Sequence, residues 1–140
     1  MKYALSVVLT LLALTTQIVA QNTEPRKTLC KTPANQSTCY WTRGRLALYN
    51  GAPPWRMWKV GTNRIVAIYS GAAAWTERKE RDGASPEFPA NLKKTYDSQI
   101  KDPSLERVFA DFEICPLEPE RSDEMQAMCI ESAKNIVVQR

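Results

Sequence analysis

Histidine is absent from this 140-residue chain. Catalytic sites that use an imidazole as general base are therefore excluded, and so are metal sites built on histidine. The four cysteines include no pair in the CxxC spacing that is typical of zinc sites and thiol redox motifs. We expect no metal and no cofactor, which leaves carboxylates, lysines, tyrosines and serines for any chemistry.

Long apolar runs are also absent after the first twenty residues. Residues 1–20 have the organisation of a secretory signal peptide, with Lys2 as the positive start, an apolar run at 3–14 and the small Ala20 at the end. Polar residues at 15–17 shorten the run below the ~20 apolar residues of a membrane span, which argues against an uncleaved anchor. We predict cleavage after Ala20, export to the periplasm or the extracellular space, and no membrane span in the mature chain.

The charge of the chain is mixed rather than strongly basic. Nineteen basic and 15 acidic side chains give a formal net charge of +4. This balance requires neither a nucleic acid nor an anionic membrane as partner, and we expect no nucleic acid. By length the mature chain forms one domain. We predict a polar leader at 21–39 and a single disulfide-linked domain at 40–140.

The cysteine count is even, and an exported chain meets oxidising conditions, so we expect two disulfides. Three pairings are possible. We favour the local pairing, because each bridge then closes a short, turn-rich loop. The favoured bridges are Cys30–Cys39 and Cys115–Cys129.

Alternating apolar and polar residues predict a chain of short β-strands. The Asn50-Gly51 turn follows the first strand, and a Gly61-Thr62-Asn63 turn separates the second from the third. The predicted strands cover residues 40–49, 55–60, 64–69, 107–115, 128–130 and 135–138.

Helices are expected only in short pieces. Residues 70–90 have the composition of an exposed loop, and from Pro89 an apolar residue recurs every fourth position, which predicts a helix that ends at Asp102-Pro103. One helical turn is predicted at 124–127, with a continuous helix at 122–134 as its rival. The resulting fold class is mostly β with one or two short helices, as a small curled antiparallel sheet or open OB-like barrel. An α+β sandwich is the alternative.

Several short motifs lie within residues 43–138: GRL at 44–46, YNG at 49–51, RMW at 56–58, VGTNR at 60–64, DFEICPL at 111–117, MQ at 125–126 and CIESA at 129–133. This set resembles a group of small exported bacterial proteins without an assigned function. The resemblance implies a bacterial source and one compact domain, and it implies no catalytic residues.

Arginines and aromatic residues are combined on the first two predicted strands. Arginine donates paired N–H groups to carboxylates or phosphates, and aromatic rings stack on sugars or bases. On a curled sheet such side chains would line one shallow groove. The other interpretation places the tryptophans in the core, with arginine stems covering their edges. The candidate ligand-binding residues are Arg43, Arg45, Tyr49, Trp55, Arg56 and Trp58.

Two carboxylates, Asp111 and Glu113, share one face of the predicted strand at 107–115. Neighbouring carboxylates can serve as the acid and base of glycoside cleavage. Any amphipathic strand produces the same spacing, so a solvated strand face is the competing interpretation. We expect a non-catalytic binding or accessory module of the cell envelope that recognises a glycan or a protein. A small glycosidase-like hydrolase using this pair is the alternative.

Overall fold

The structure is a computed structural model that describes residues 26–77 and 85–140. The predicted signal peptide, the first residues of the leader and most of the charged run within the 70–90 loop lie outside the described residues. Among the described residues the strands are β1 (Tyr40–Leu48), β2 (Trp55–Lys59), β3 (Ile65–Ile68), β4 (Arg107–Pro116) and β5 (Ala127–Gln139). The helices are a 3-10 turn (Gln36–Thr38), α1 (Ala72–Thr76) and α2 (Ala90–Gln99).

The five strands pair in a closed ring in the order β1-β2-β3-β5-β4, with β4 pairing back to β1. Four of these pairings are antiparallel, whereas β3 and β5 run parallel. The mostly β fold class with short helices is therefore confirmed. The sheet is mixed rather than wholly antiparallel, because the chain passes through the helices and β4 before β5 returns beside β3.

The first four strands lie within one residue of their predicted bounds, since their alternation matches the burial of the ring interior. On β4, Val108, Ala110, Phe112 and Ile114 are buried, while Asp111 and Glu113 are only partly covered. The helix predicted from Pro89 is confirmed as α2, and its buried Leu92 packs into the core.

A glycine is required where β1 passes closest to the packed interior. A Cβ atom at Gly44 would lie 2.5 Å from Sδ of Met57 and 2.9 Å from a ring carbon of Phe112. Both distances are shorter than real Cβ contacts allow, so any side chain here would displace the core. Gly44 therefore brings β1 close to the inner side chains of β2 and β4.

The C-terminal stretch differs from the prediction, because β5 is one strand of 13 residues. Its pairing with β4 has register shifts between Phe109 and Asp111 and between Glu113 and Ile114, and Asn135 has a positive φ of 53°. These irregularities interrupt the alternation that reveals a strand in a sequence. The following predictions are wrong: the helical turn at 124–127, the separate strands at 128–130 and 135–138, and the helix at 122–134.

The loop predicted at 70–90 contains the short helix α1 within its described part. The ring of Trp75 on this helix lies 5.0 Å from the ring of Tyr69. Trp75 therefore folds back onto the outer side of β3 and anchors the connection to the domain.

The two disulfides join Cys30 to Cys129 and Cys39 to Cys115, so the predicted local pairing is wrong. Cys39 directly precedes β1, and the antiparallel register of β1 and β4 places it opposite Cys115. Cys30 belongs to the N-terminal segment, which is held on β5 by a 2.6 Å hydrogen bond from Arg26. Each bridge thus links segments that are distant in sequence and adjacent in the folded domain.

Two disulfides and no free cysteine among the described residues indicate an oxidising, exported environment. In the described ranges, neither α1 nor α2 has the length and apolar character that crossing a bilayer demands.

Candidate ligand-binding face

The outer face of β1 carries a row of cationic and aromatic side chains. Successive residues of a strand point to opposite sides, so the odd-numbered residues of β1 face outward while Gly44, Leu46 and Leu48 face the core. Neighbouring strands add further side chains to the row. We call this row the β1 stripe, and it consists of Trp41, Arg43, Arg45, Tyr49, Arg56, Trp58 and Lys134.

Arg45 lies at the centre of the stripe. It is the cross-strand partner of Trp58, and its guanidinium carbon lies 5.1 Å from the centre of that indole ring. One Nη atom donates a long 3.4 Å hydrogen bond to the Tyr49 hydroxyl. The Nε atom is buried without a hydrogen-bond partner, and the described residues place no carboxylate in ion-pairing distance of Arg45. The buried Nε is out of reach of a ligand, but a cation on an aromatic platform without an ion-pair partner is suited to an anionic ligand.

Arg56 and Tyr49 form a second cation–aromatic couple near the end of the strand. The guanidinium carbon of Arg56 lies 5.2 Å from the Tyr49 ring centre, and its Nε donates to the Pro53 carbonyl over 2.9 Å. The backbone N–H of Tyr49 donates to Pro54, which continues the β1–β2 pairing past Leu48. The turn between the strands therefore fixes the position of this couple.

Lys134 and Trp41 form a third couple near the start of the strand. The Lys134 ammonium nitrogen lies 4.1 Å from the Trp41 ring centre, and Trp41 is 46% exposed. Lys134 stands opposite Asp111 across the β4–β5 pairing, next to the irregularity at Asn135. The bulged path of β5 thus brings a cation to the ring of Trp41 on β1.

Arg43 differs from the other cations of the stripe because it is neutralised. One of its Nη atoms lies 3.3 Å from an Asp111 carboxylate oxygen and also donates to the Asn135 carbonyl. Its charge is already satisfied within the protein, so it contributes less to the attraction of an anion.

Trp55 does not belong to this face. It is 3% exposed and packs edge-on against Phe88 and Tyr96, with ring centres 5.1 and 5.3 Å away. Trp55 and Trp58 are three residues apart on one strand, so they point to opposite faces. The other five predicted residues, Arg43, Arg45, Tyr49, Arg56 and Trp58, do share one surface.

Sequence reasoning missed Trp41, Lys134 and the apolar border of the stripe. Trp41 shares the odd-numbered side of β1 with Arg43 and Arg45, so the same alternation contains the signal for it. Lys134 comes into place only through the β4–β5 register and its bulge, for which the sequence offers no signal. The border is formed by Phe109 and by the exposed side chains of Ile65 and Val137.

The carboxylates Asp111 and Glu113 are both held in ionised form. A hydrogen bond from Asn135, with Arg43 nearby, lowers the pKa of Asp111. A hydrogen bond from the Lys31 ammonium group, with a second from Ser132, lowers the pKa of Glu113. A general acid of glycoside cleavage needs a raised pKa, so neither carboxylate is prepared for that role.

Other sites in the described part of the chain offer less. No group of three or more metal-ligating side chains comes together there. Two open depressions of about 420 and 500 Å³ lie beside the β4–β5 loop, and neither is lined by a residue of the β1 stripe.

Comparison with protein-family models, curated proteins and solved structures found no match to this chain. The resemblance to small exported bacterial proteins therefore stays a prediction from the motifs.

Proposed function

We propose that this protein is a non-catalytic binding module of the cell envelope, periplasmic or extracellular, that recognises a glycan through the β1 stripe. The observation that carries the proposal is the state of Arg45. Its guanidinium group lies over the Trp58 ring and forms no ion pair with a described residue. A cation that is held in place and not neutralised within the protein can bind an acidic or hydroxyl-bearing ligand.

The chemistry of the stripe supports a sugar ligand. Trp41 is exposed and Trp58 is partly exposed, so the uncovered parts of their rings offer apolar surface to pyranose rings, and the guanidinium groups of Arg45 and Arg56 offer planar donors for hydroxyl or acidic groups. The site is a shallow row rather than a closed pocket. That shape suits a polymer, of which only one side needs to be contacted.

Glycan binding is tested by titrating the purified mature protein with peptidoglycan fragments and envelope polysaccharides while tryptophan fluorescence is recorded. We expect at least one glycan to change the emission of wild-type protein, because Trp41 and Trp58 are partly exposed. Arg45→Gln should weaken that response by roughly tenfold or more, the loss typical of a charge-assisted hydrogen bond.

Arg121→Gln serves as the control, since it removes the same charge from an exposed arginine that pairs with Glu124 in the β4–β5 loop. It should leave the titration unchanged. A flat response of the wild-type protein to every glycan would overturn the proposal. Equal weakening of glycan binding by both variants would also contradict it. That result would show that Arg45 acts only through the net charge of the protein.

A further inference from the structure

Two arginines of the β1 stripe contact one tyrosine. Ala47 is the cross-strand partner of Arg56, so Arg45, two residues earlier on β1, is a diagonal neighbour of Arg56 on the outer face. Diagonal neighbours lie about 7–8 Å apart, within reach of long side chains. Tyr49, which directly follows β1, accepts a 3.4 Å hydrogen bond from Arg45, and its ring centre lies 5.2 Å from the Arg56 guanidinium carbon. We call Arg45, Tyr49 and Arg56 the two-arginine site.

The side chains of this site cover the small residue between them. Ala47 faces the outer side of β1, because the alternate residues Leu46 and Leu48 face the core. Only 2% of Ala47 is nevertheless exposed. Its immediate neighbours on this side include all three members of the two-arginine site, whose long side chains provide cover. The two guanidinium groups are therefore held against the sheet around one spot.

The two-arginine site has two positive charges and several donors that no described residue uses. No described carboxylate lies in ion-pairing distance of either guanidinium group. Nε of Arg56 donates to the Pro53 carbonyl, whereas its two Nη groups have no acceptor in the described ranges. The Tyr49 hydroxyl accepts from Arg45, so its own hydrogen can be donated to a ligand. An anion between the arginines would thus meet donors from three side chains.

From this arrangement we infer that the glycan bound by the β1 stripe carries a phosphate monoester, which is held at the two-arginine site. A phosphate monoester has three terminal oxygens and a charge of about −1.5 to −2 at pH 7, which matches two arginines and one hydroxyl donor. A carboxylate or a phosphate diester carries one charge and would leave one arginine without a counter-charge. The adjoining sugar lies on the uncovered part of Trp58, the cross-strand partner of Arg45. The inference rests on the proposed function and names the group that the site recognises.

The phosphate is tested with four small probes, titrated into the mature protein by calorimetry. They are N-acetylglucosamine 6-phosphate, the same sugar without phosphate, glucuronic acid and inorganic phosphate. The sugar phosphate should bind roughly tenfold or more tighter than the neutral sugar, the gain typical of charge-assisted hydrogen bonds. Glucuronic acid and inorganic phosphate should each bind more weakly than the sugar phosphate. Equal binding of the sugar phosphate and any other probe would overturn the inference.

The pH dependence of binding identifies the charge of the bound group. A phosphate monoester gains a proton with a pKa of about 6, so the affinity for the sugar phosphate should fall up to about tenfold between pH 7 and pH 5. A carboxylate keeps its charge in this range. The chain has no histidine, so no side chain of ordinary pKa changes charge there. A pH-independent affinity would contradict binding of the dianion.

Variants test whether both arginines take part. Arg45→Gln and Arg56→Gln should each weaken binding of the sugar phosphate roughly tenfold, whereas Tyr49→Phe removes a neutral donor and should weaken it by only a few-fold. Arg121→Gln is again the control, with no expected change. Unfolding midpoints of all variants should stay close to wild type, which separates binding from folding. Wild-type affinity of Arg56→Gln would refute the two-arginine site.

Phosphatase treatment distinguishes this inference from the function on which it rests. The glycan that gives the largest fluorescence response is titrated before and after a phosphomonoesterase has removed its monoester groups. We expect the treated glycan to bind roughly tenfold or more weakly. Unchanged affinity would refute the phosphate and leave glycan binding in place. If no glycan of the first panel binds, the proposed function itself falls.

Discussion

The two faces of β1 are built from different kinds of residue although they belong to the same nine positions. The inner face presents Gly44, Leu46 and Leu48 to the packed interior of the ring. The outer face presents Trp41 and Arg45, which are partly exposed and contact other side chains of the surface. The inner residues are determined by packing, whereas solubility alone requires no rings under the outer cations. Packing therefore accounts for the residues of the inner face, whereas the outer residues are those that we propose bind the ligand.

The largest expected effect on stability comes from removing a large core side chain on β4, the strand that pairs with β1. Phe112 is fully buried between β1 and β5, so Phe112→Ala should lower the free energy of unfolding by about 3–5 kcal/mol. Urea denaturation of wild type and variant measures this loss. Phe109→Ala is the matched control on the outer face of the same strand and should cost clearly less. Equal losses would show that the outer face is as tightly packed as the core.

Filling the interior should have the next largest effect. Gly44→Ala forces a methyl group against Met57 and Phe112, and overpacking of this kind costs about 1–3 kcal/mol. The change is measured as a lower urea midpoint with an unchanged slope. Wild-type stability of this variant would mean that β1 can move away from β2 and β4 at little cost.

Substitution on the outer face should hardly affect folding. Arg45→Gln removes a cation from the Trp58 ring, and such a partly exposed contact contributes about 0.5–1 kcal/mol. The midpoint of thermal unfolding should therefore move only slightly, although the glycan response is strongly weakened. A loss of stability comparable to that of Phe112→Ala would instead assign Arg45 to the structural framework.

The smallest expected effect concerns the stability of the protein at acidic pH. Lys31 holds the pKa of Glu113 below its usual range, so the stabilisation exists above the ordinary pKa of a glutamate and is lost as the pH falls through the lowered value. Glu113→Gln should make stability less dependent on pH between about 5 and 3. Denaturation midpoints at a series of pH values measure this. An unchanged pH dependence would show that the pair contributes nothing in solution.

Much of the inner face could be predicted from the sequence, because burial on one side of a strand leaves an alternating pattern. The bounds of β1 to β4, the buried positions of β4 and the helix with Leu92 all follow from such periodicity. Five of the six residues that were predicted to bind a ligand share one surface, because the same alternation places them on one side of the sheet. Trp55 is the exception, although its separation of three residues from Trp58 already predicts opposite faces of the strand.

The rest depends on relations between segments that are distant in sequence. The disulfide between Cys39 and Cys115 follows from the β1–β4 register, and the position of Lys134 follows from the β4–β5 register and its bulge. No local pattern encodes these pairings. A strand with a left-handed residue such as Asn135 loses its alternation, which is why β5 could not be recognised as one element.

The most direct test of the account is an NMR titration that follows the indole N–H signals of the four tryptophans, Trp41, Trp55, Trp58 and Trp75, during addition of the envelope glycan that gives the largest change in tryptophan fluorescence. The account predicts that the signals of Trp41 and Trp58 shift together and saturate, while that of the buried Trp55 stays in place. Shifts confined to Trp55 or Trp75, or no shifts at any concentration, would contradict it.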